Sequence, residues 1–130
     1  MITPRPLGLY LHIPFCVKKC AYCDFYSITD AALMDAYTDA LVREIRLYGE
    51  KAAGYVTDTV YLGGGTPSYL GGARLERILH AVRESFALAE DTEITVECNP
   101  ESTDAALLDA LRRGGANRLS FGVQAAHDNE

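Results

Sequence analysis

The chain has no cluster of basic residues longer than the pairs Lys18-Lys19 and Arg112-Arg113, and its 12 Lys and Arg are outnumbered by 18 Asp and Glu, a formal charge of −6. A nucleic-acid partner needs a basic surface to neutralise phosphates, so no nucleic-acid function is expected. A long apolar run is also missing. The N-terminus is broken by Pro4 and Pro6, and the first apolar stretch, residues 7–15, contains His12 and Pro14. Neither a secretory signal nor a transmembrane segment is expected. Histidine is scarce, His12, His80 and His127 being the only three, and low-complexity segments and sequence repeats are absent. Four cysteines without a secretory signal point to a reducing compartment, where thiols stay free for metal or chemistry, and a cytoplasmic location is expected. Only Cys98 lies outside a single cysteine cluster, which disfavours a disulfide framework.

With 130 residues, 48% of them apolar, the chain can build one domain core or part of one. Its pattern alternates. The apolar residues 7–13 stop at Pro14 and read as a buried strand. From Leu33, the positions Leu33, Tyr37, Leu41, Ile45 and Tyr48 recur at helical spacing, with Asp30 placed to help start the helix and residues 49–54 to end it. A second strand, residues 59–62, runs into Gly63-Gly64-Gly65-Thr66-Pro67, and a second helix carries Leu75, Ile78, Leu79, Val82 and Phe86. Residues 94–98 form a third strand, broken by Asn99-Pro100. Leu107, Leu108 and Leu111 mark a third helix closed by Gly114-Gly115, and residues 118–124 read as a fourth strand.

This alternation predicts an α/β fold, a partial (β/α) barrel with parallel strands, truncated after about four strands. Residues 1–130 are then expected to be the N-terminal part of one incomplete barrel. The unusual residues cluster accordingly. The cysteines, the triple glycine, Glu97 and Gln124 all fall at or near the C-terminal ends of strands, the edge where parallel sheets and barrels place their sites.

Cys16-Val17-Lys18-Lys19-Cys20-Ala21-Tyr22-Cys23 places three thiols within eight residues on the loop leaving the first strand. A four-iron cluster normally takes four thiolates, so three leave one iron open to an outside ligand, and an open position is what a catalytic metal needs. Two alternatives compete. Cys20 and Cys23 also form half of a zinc knuckle, with Cys16 and His12 available to complete it. A thioredoxin-like redox pair has the same Cys-x-x-Cys spacing, but it opens a helix and needs no third thiol ahead of it. The glycine run matches neither a P-loop nor a dinucleotide fingerprint.

The run Tyr10-Leu11-His12-Ile13-Pro14-Phe15-Cys16, continued by Cys20, Tyr22-Cys23-Asp24-Phe25, Gly63-Gly64-Gly65-Thr66-Pro67-Ser68, Glu97-Cys98-Asn99-Pro100 and residues 117–124, resembles the radical SAM superfamily. Within it, the chain is similar to the oxygen-independent coproporphyrinogen III oxidase group, and most of all to its heme-chaperone branch. The coproporphyrinogen dehydrogenases carry a further cysteine two residues after the third cluster cysteine, where this chain has Phe25.

The resemblance implies a [4Fe-4S] cluster on Cys16, Cys20 and Cys23. The open iron would be chelated by the amino and carboxylate groups of S-adenosylmethionine, whose carbon–sulfur bond breaks on one-electron reduction to give a 5′-deoxyadenosyl radical. It implies S-adenosylmethionine contacts at Tyr10, Tyr22, Gly64, Gly65, Thr66, Glu97 and Gln124. Glu97 and the glycine turn have blander readings as a strand-end acid and a tight connection, Tyr10 and Tyr22 as packing residues, and Cys98 reads as a core cysteine. The function implied is heme binding and delivery to recipient proteins. The alternative is oxidative decarboxylation of coproporphyrinogen III. Partners are then heme or a porphyrinogen, heme-recipient proteins, and an acidic electron donor of the flavodoxin type, which Lys18 and Lys19 could help dock.

Overall fold

A computed structural model describes residues 4–15 and 31–121. Strand β1 (Arg5–Ile13) is followed by helix α1 (Ala31–Lys51), β2 (Tyr55–Gly64), α2 (Gly72–Ser85), β3 (Leu88–Cys98), α3 (Ala105–Gly114) and β4 (Arg118–Phe121). Short 3-10 turns at Pro67–Leu70 and Pro100–Ser102 follow β2 and β3. The four strands pair in chain order, β1-β2-β3-β4, and every pairing is parallel. The α/β alternation read from the sequence is the observed fold. Parallel neighbours need a crossover, and here each crossover carries a helix.

One face of the sheet is apolar and covered. Leu11, Ile13, Val60, Leu62, Ile94, Val96 and Cys98 alternate along their strands and form one core with Leu41, Val42 and Ile45 of α1, Leu75, Ile78, Leu79 and Val82 of α2, and Leu107 and Leu111 of α3. The intervening residues, Tyr10 and His12 of β1, Thr59, Tyr61 and Gly63 of β2, Glu93, Thr95 and Glu97 of β3, and Arg118 and Ser120 of β4, share the other face by strand alternation. No described helix covers that face, and it is polar and aromatic rather than aliphatic, the composition of a barrel interior that receives a ligand.

Several local expectations need correction. Leu33 and Tyr48 are 50% and 57% exposed, because α1 buries the neighbouring stripe Met34, Thr38, Leu41, Val42 and Ile45. Thr38 fits that stripe because its hydroxyl donates to Met34 O at 2.8 Å, which satisfies it inside the helix. Phe86 is not on α2 but is its extended C-cap, still buried in the core. Leu108 lies on the exposed side of α3. Strands β2 and β3 begin earlier than their apolar cores, at Tyr55 and Leu88. The early part of β3 is irregular: Thr57 pairs with Leu88 but Thr59 with Glu93. Three of the four residues bulging between Leu88 and Glu93 are polar, Glu90, Asp91 and Thr92, and Thr92 Oγ1 ties the bulge to Thr57 O at 3.0 Å. The expected cap Asp30 and the last residues of the fourth strand lie outside the described residues.

Candidate cofactor site

The chain leaves β1 through Pro14 and Phe15 toward Cys16, and two backbone bonds fix that exit against the end of β2. Gly65 N donates to Ile13 O at 2.7 Å and Thr66 N donates to Phe15 O at 2.6 Å. Glycine is required here by space. A Cβ on Gly65 would sit 2.9 Å from Phe15 C and 3.0 Å from Ile13 O, both backbone atoms that no rotamer change can move. Gly64 has φ +114, a conformation glycine adopts freely, and a Cβ there would meet the His12 ring at 2.6 Å. The triple glycine is thus a close-contact turn that presents bare backbone at the C-terminal edge, beside the entry to the cysteine loop.

Glu97 faces this turn from the end of β3. Its Oε1 accepts from Gly64 N at 3.2 Å and its Oε2 from the Tyr61 hydroxyl at 2.6 Å. The Tyr61 phenol is pushed above its ordinary value of 10.0, chiefly by the hydrogen bond to Glu97 and next by burial, against the lowering influence of Ser120 and Arg118. It therefore stays protonated, as a donor, through neutral pH. Tyr10, 58% exposed, stacks on Tyr61 with ring centroids 6.0 Å apart and planes 19° from parallel, and its hydroxyl lies 3.3 Å from His12 Nδ1. The Tyr37 hydroxyl, from α1, donates to His12 O.

A second clip joins the two turns behind the site. Asn99 N donates to Ser68 Oγ at 2.9 Å, and Ser68 Oγ lies 2.6 Å from Ser102 Oγ. Ser68 follows the glycine turn and Asn99 follows Glu97 by two residues, so the clip holds the glycine backbone and the carboxylate in one register.

Of the residues singled out in the sequence, Tyr10, Gly64, Gly65, Thr66 and Glu97 meet at this edge. Cys16, Cys20, Tyr22, Cys23, Phe25 and Gln124 lie outside the described residues. Cys98 is a buried free cysteine on the covered face, its thiol directed at Val96 O and pushed up in pKa by burial. His12 lies on the open face. Among the described residues, no group of three or more His, Cys, Asp or Glu side chains could hold a metal ion.

A model of the "Radical SAM superfamily" matches residues 10–129. The chain belongs to that superfamily. It is 45% identical over 124 residues to the heme chaperone HemW of Mycobacterium tuberculosis (strain ATCC 25618 / H37Rv), covering 92% of this chain and 32% of that one. It is 43% identical over 122 residues to the oxygen-independent coproporphyrinogen III oxidase of Escherichia coli (strain K12), covering 92% of this chain and 27% of that one. The solved structure of the E. coli radical SAM enzyme coproporphyrinogen III oxidase (HemN) superposes with a TM-score of 0.81 at 40% identity, covering 93% of this chain and 28% of that one. The chain thus spans about a third, or somewhat less, of the length of the proteins it matches.

Radical SAM membership implies S-adenosylmethionine and a [4Fe-4S] cluster, and the described residues fit the former. The glycine turn is a cradle that Cβ atoms would fill, and Glu97 is an acceptor-only carboxylate with lone pairs left after its two donors. A ribose diol or an ammonium group supplies the donors it lacks. The stacked tyrosines add an apolar shelf beside it. Sequence reasoning missed Tyr61, Gly63 and the Ser68–Asn99 clip. Period two along β2 carries the signal for the first two, since Tyr61 and Gly63 share a face and Glu97 lies on the adjacent strand.

A cavity of about 550 Å³ runs along the outer edge of β1 under α1, with Leu7, Leu9, Tyr10, His12, Tyr37 and Tyr48 in its wall. Neither Glu97 nor the glycine turn lines it.

Proposed function

We propose that residues 1–130 form the N-terminal part of the radical SAM core of a heme chaperone, a protein that binds heme and delivers it to recipient proteins. Cys16, Cys20 and Cys23 hold a [4Fe-4S] cluster. Tyr10, Tyr22, Gly64, Gly65, Thr66, Glu97 and Gln124 contact S-adenosylmethionine. The observation that supports the cofactor part is the junction of Glu97, the bare glycine backbone and the exit toward Cys16 at one strand edge. Bound together, the two cofactors supply reductive cleavage of a carbon–sulfur bond.

The chain's own residues do the positioning. Gly64 and Gly65 let a ligand approach the backbone, Glu97 accepts from its hydroxyl or amino donors, and the Ile13–Gly65 and Phe15–Thr66 bonds fix the exit of β1 at the same edge. Phe25, in place of the dehydrogenases' extra cysteine, favours the chaperone reading. Similarity to an oxygen-independent coproporphyrinogen III oxidase keeps porphyrinogen decarboxylation as the second reading. An acidic flavodoxin-type electron donor and a cytoplasmic location accompany both; no described helix is long and apolar enough to cross a membrane.

The test is electron paramagnetic resonance on anaerobically reconstituted, reduced protein with and without S-adenosylmethionine, with Cys16→Ala as control. A four-iron signal that shifts with S-adenosylmethionine and is lost in the variant is expected. Zinc in place of iron refutes the cofactor assignment. Soret titration with heme, run beside an anaerobic coproporphyrinogen turnover assay, separates the two functions: saturable heme binding without turnover is the chaperone outcome.

A further inference from the structure

Glu97 is not free at its strand end: both carboxylate oxygens are already engaged, one by the Tyr61 hydroxyl at 2.6 Å and the other by Gly64 N at 3.2 Å. The face of the same Tyr61 ring carries Tyr10, stacked at 6.0 Å and 19°. Room for this arrangement exists because residue 63 is glycine. A Cβ there would lie 2.8 Å from Tyr61 Cε1 and 2.9 Å from Glu97 Oε1. One side chain, to which the sequence reading gave no role, thus joins the two side chains on which the cofactor assignment leans.

We propose that Tyr61 is a positioning residue for S-adenosylmethionine, setting the rotamer of Glu97 through its hydroxyl and the plane of Tyr10 through its ring. The role rests on the cofactor reading above and deepens it. A glutamate side chain has three rotatable bonds, and a ligand that must first order them spends affinity on doing so. A short hydroxyl-to-carboxylate bond orders them in advance, and such charge-assisted bonds are the strong ones. The raised phenol pKa, caused first by the Glu97 bond, keeps that donor in place. The other groups on this face near the pair are Tyr10 and His12 from β1 and Arg118 and Ser120 from β4. Arg118 donates to Thr95 Oγ1 at 3.4 Å and lies 4.0 Å from Glu93, one layer below, so it does not replace Tyr61 as the partner of Glu97.

A double-mutant cycle tests the proposal: S-adenosylmethionine binding by equilibrium dialysis to reconstituted wild type, Y61F, E97A and Y61F/E97A. Y61F keeps the ring, so the stack and the fold persist. Loss of the hydroxyl is expected to weaken binding about tenfold, the effect of one charge-assisted hydrogen bond. In the E97A background the same change should alter affinity by less than about twofold, because a residue acting through Glu97 has nothing left to act on. Ultraviolet titration of the phenols, which needs no cofactor, should show in wild type a high-titrating tyrosine besides the buried Tyr37, one that is lost in Y61F and moves down in E97A.

Equal losses on both backgrounds, wild-type affinity in Y61F, or a set of high-titrating phenols unchanged by Y61F would each overturn the proposal. A wild type that binds no S-adenosylmethionine overturns the cofactor reading itself, and the role with it; that outcome is distinct from unimpaired binding by Y61F.

Discussion

Replacing Gly65 with alanine separates two roles a glycine can have, and Gly54→Ala is its control. Gly54 has φ +88 with nothing within 4 Å of the position of a Cβ, so alanine there meets only the backbone penalty of the left-handed region, about 1–2 kcal/mol. Gly65 has no positive φ, and its alanine meets backbone instead: Phe15 C at 2.9 Å and Ile13 O at 3.0 Å. Relief requires the end of β1 to move off the end of β2. That movement breaks the Gly65–Ile13 and Thr66–Phe15 bonds, worth about 1 kcal/mol net each. Residual overpacking adds to this, giving a total of about 2–4 kcal/mol.

The decisive difference is in cluster loading. Gly54 lies between α1 and β2, at the opposite end of β2 from the site, so its variant should load iron and sulfide as wild type does. Gly65→Ala should fail to load fully, because the exit toward Cys16 is displaced. Urea denaturation of the apoprotein gives the stabilities, and iron and sulfide content after anaerobic reconstitution gives the loading. Full loading by Gly65→Ala, with a stability equal to that of Gly54→Ala, would refute the reasoning that this turn clamps the exit of β1.

Asn117→Ala should destabilise by about 1–3 kcal/mol, because the side chain accepts from Ile94 N and donates to Thr92 O, both at 2.8 Å, and its loss strands both partners. A lowered urea midpoint with faster amide exchange at Ile94 is expected; unchanged exchange there contradicts it. The apoprotein should also weaken at alkaline pH. Cys98, from an ordinary 9.0, and Tyr61 and Tyr37, from 10.0, all have raised pKa values in the folded state, Cys98 and Tyr37 mainly through burial and Tyr61 mainly through Glu97. The folded chain therefore holds these protons more tightly than the unfolded one. Their contribution to stability is complete below the unfolded values and is lost as pH rises through the folded ones. The urea midpoint should fall between about pH 8 and about pH 10.5, starting with Cys98 near its ordinary value, and C98A should remove the earliest part of the fall. A flat midpoint over that range contradicts the assignment.

The strand cores, the helix periods and the edge that carries the site were legible because each rests on a local pattern. A short apolar run stopped by Pro14 marked β1, and the break at Asn99-Pro100 marked the end of β3. The glycine turn and Glu97 stood out because glycine and a strand-end carboxylate are unusual there. The stripe of α1 was read correctly at Leu41 and Ile45 and misjudged at its ends, since Tyr48 and Leu33 look more apolar than Thr38, whose hydroxyl is satisfied only once the helix exists. Leu88 to Glu93 fell outside the strand read from the sequence because the early part of β3 bulges away from β2 and is rich in polar residues. Tyr61 and Ser68 were silent for another reason. Their partners, Glu97 and Asn99, lie 36 and 31 residues away, and only the register of the sheet brings them together.

That register follows the order of synthesis. Each strand pairs with the one made just before it, so no strand needs to wait for a later segment to fill a gap beside it. Contacts between consecutive βα units close loops of similar and moderate length, which keeps the entropic cost of each addition nearly constant. On a ribosome delivering the chain from its N-terminus, the tyrosine pair, the glycine turn and Glu97 all have their partners once residue 98 has emerged. The junction of Tyr10, Tyr61, the glycine turn and Glu97 thus needs only the first three strands, and vectorial folding can complete it before β4 exists.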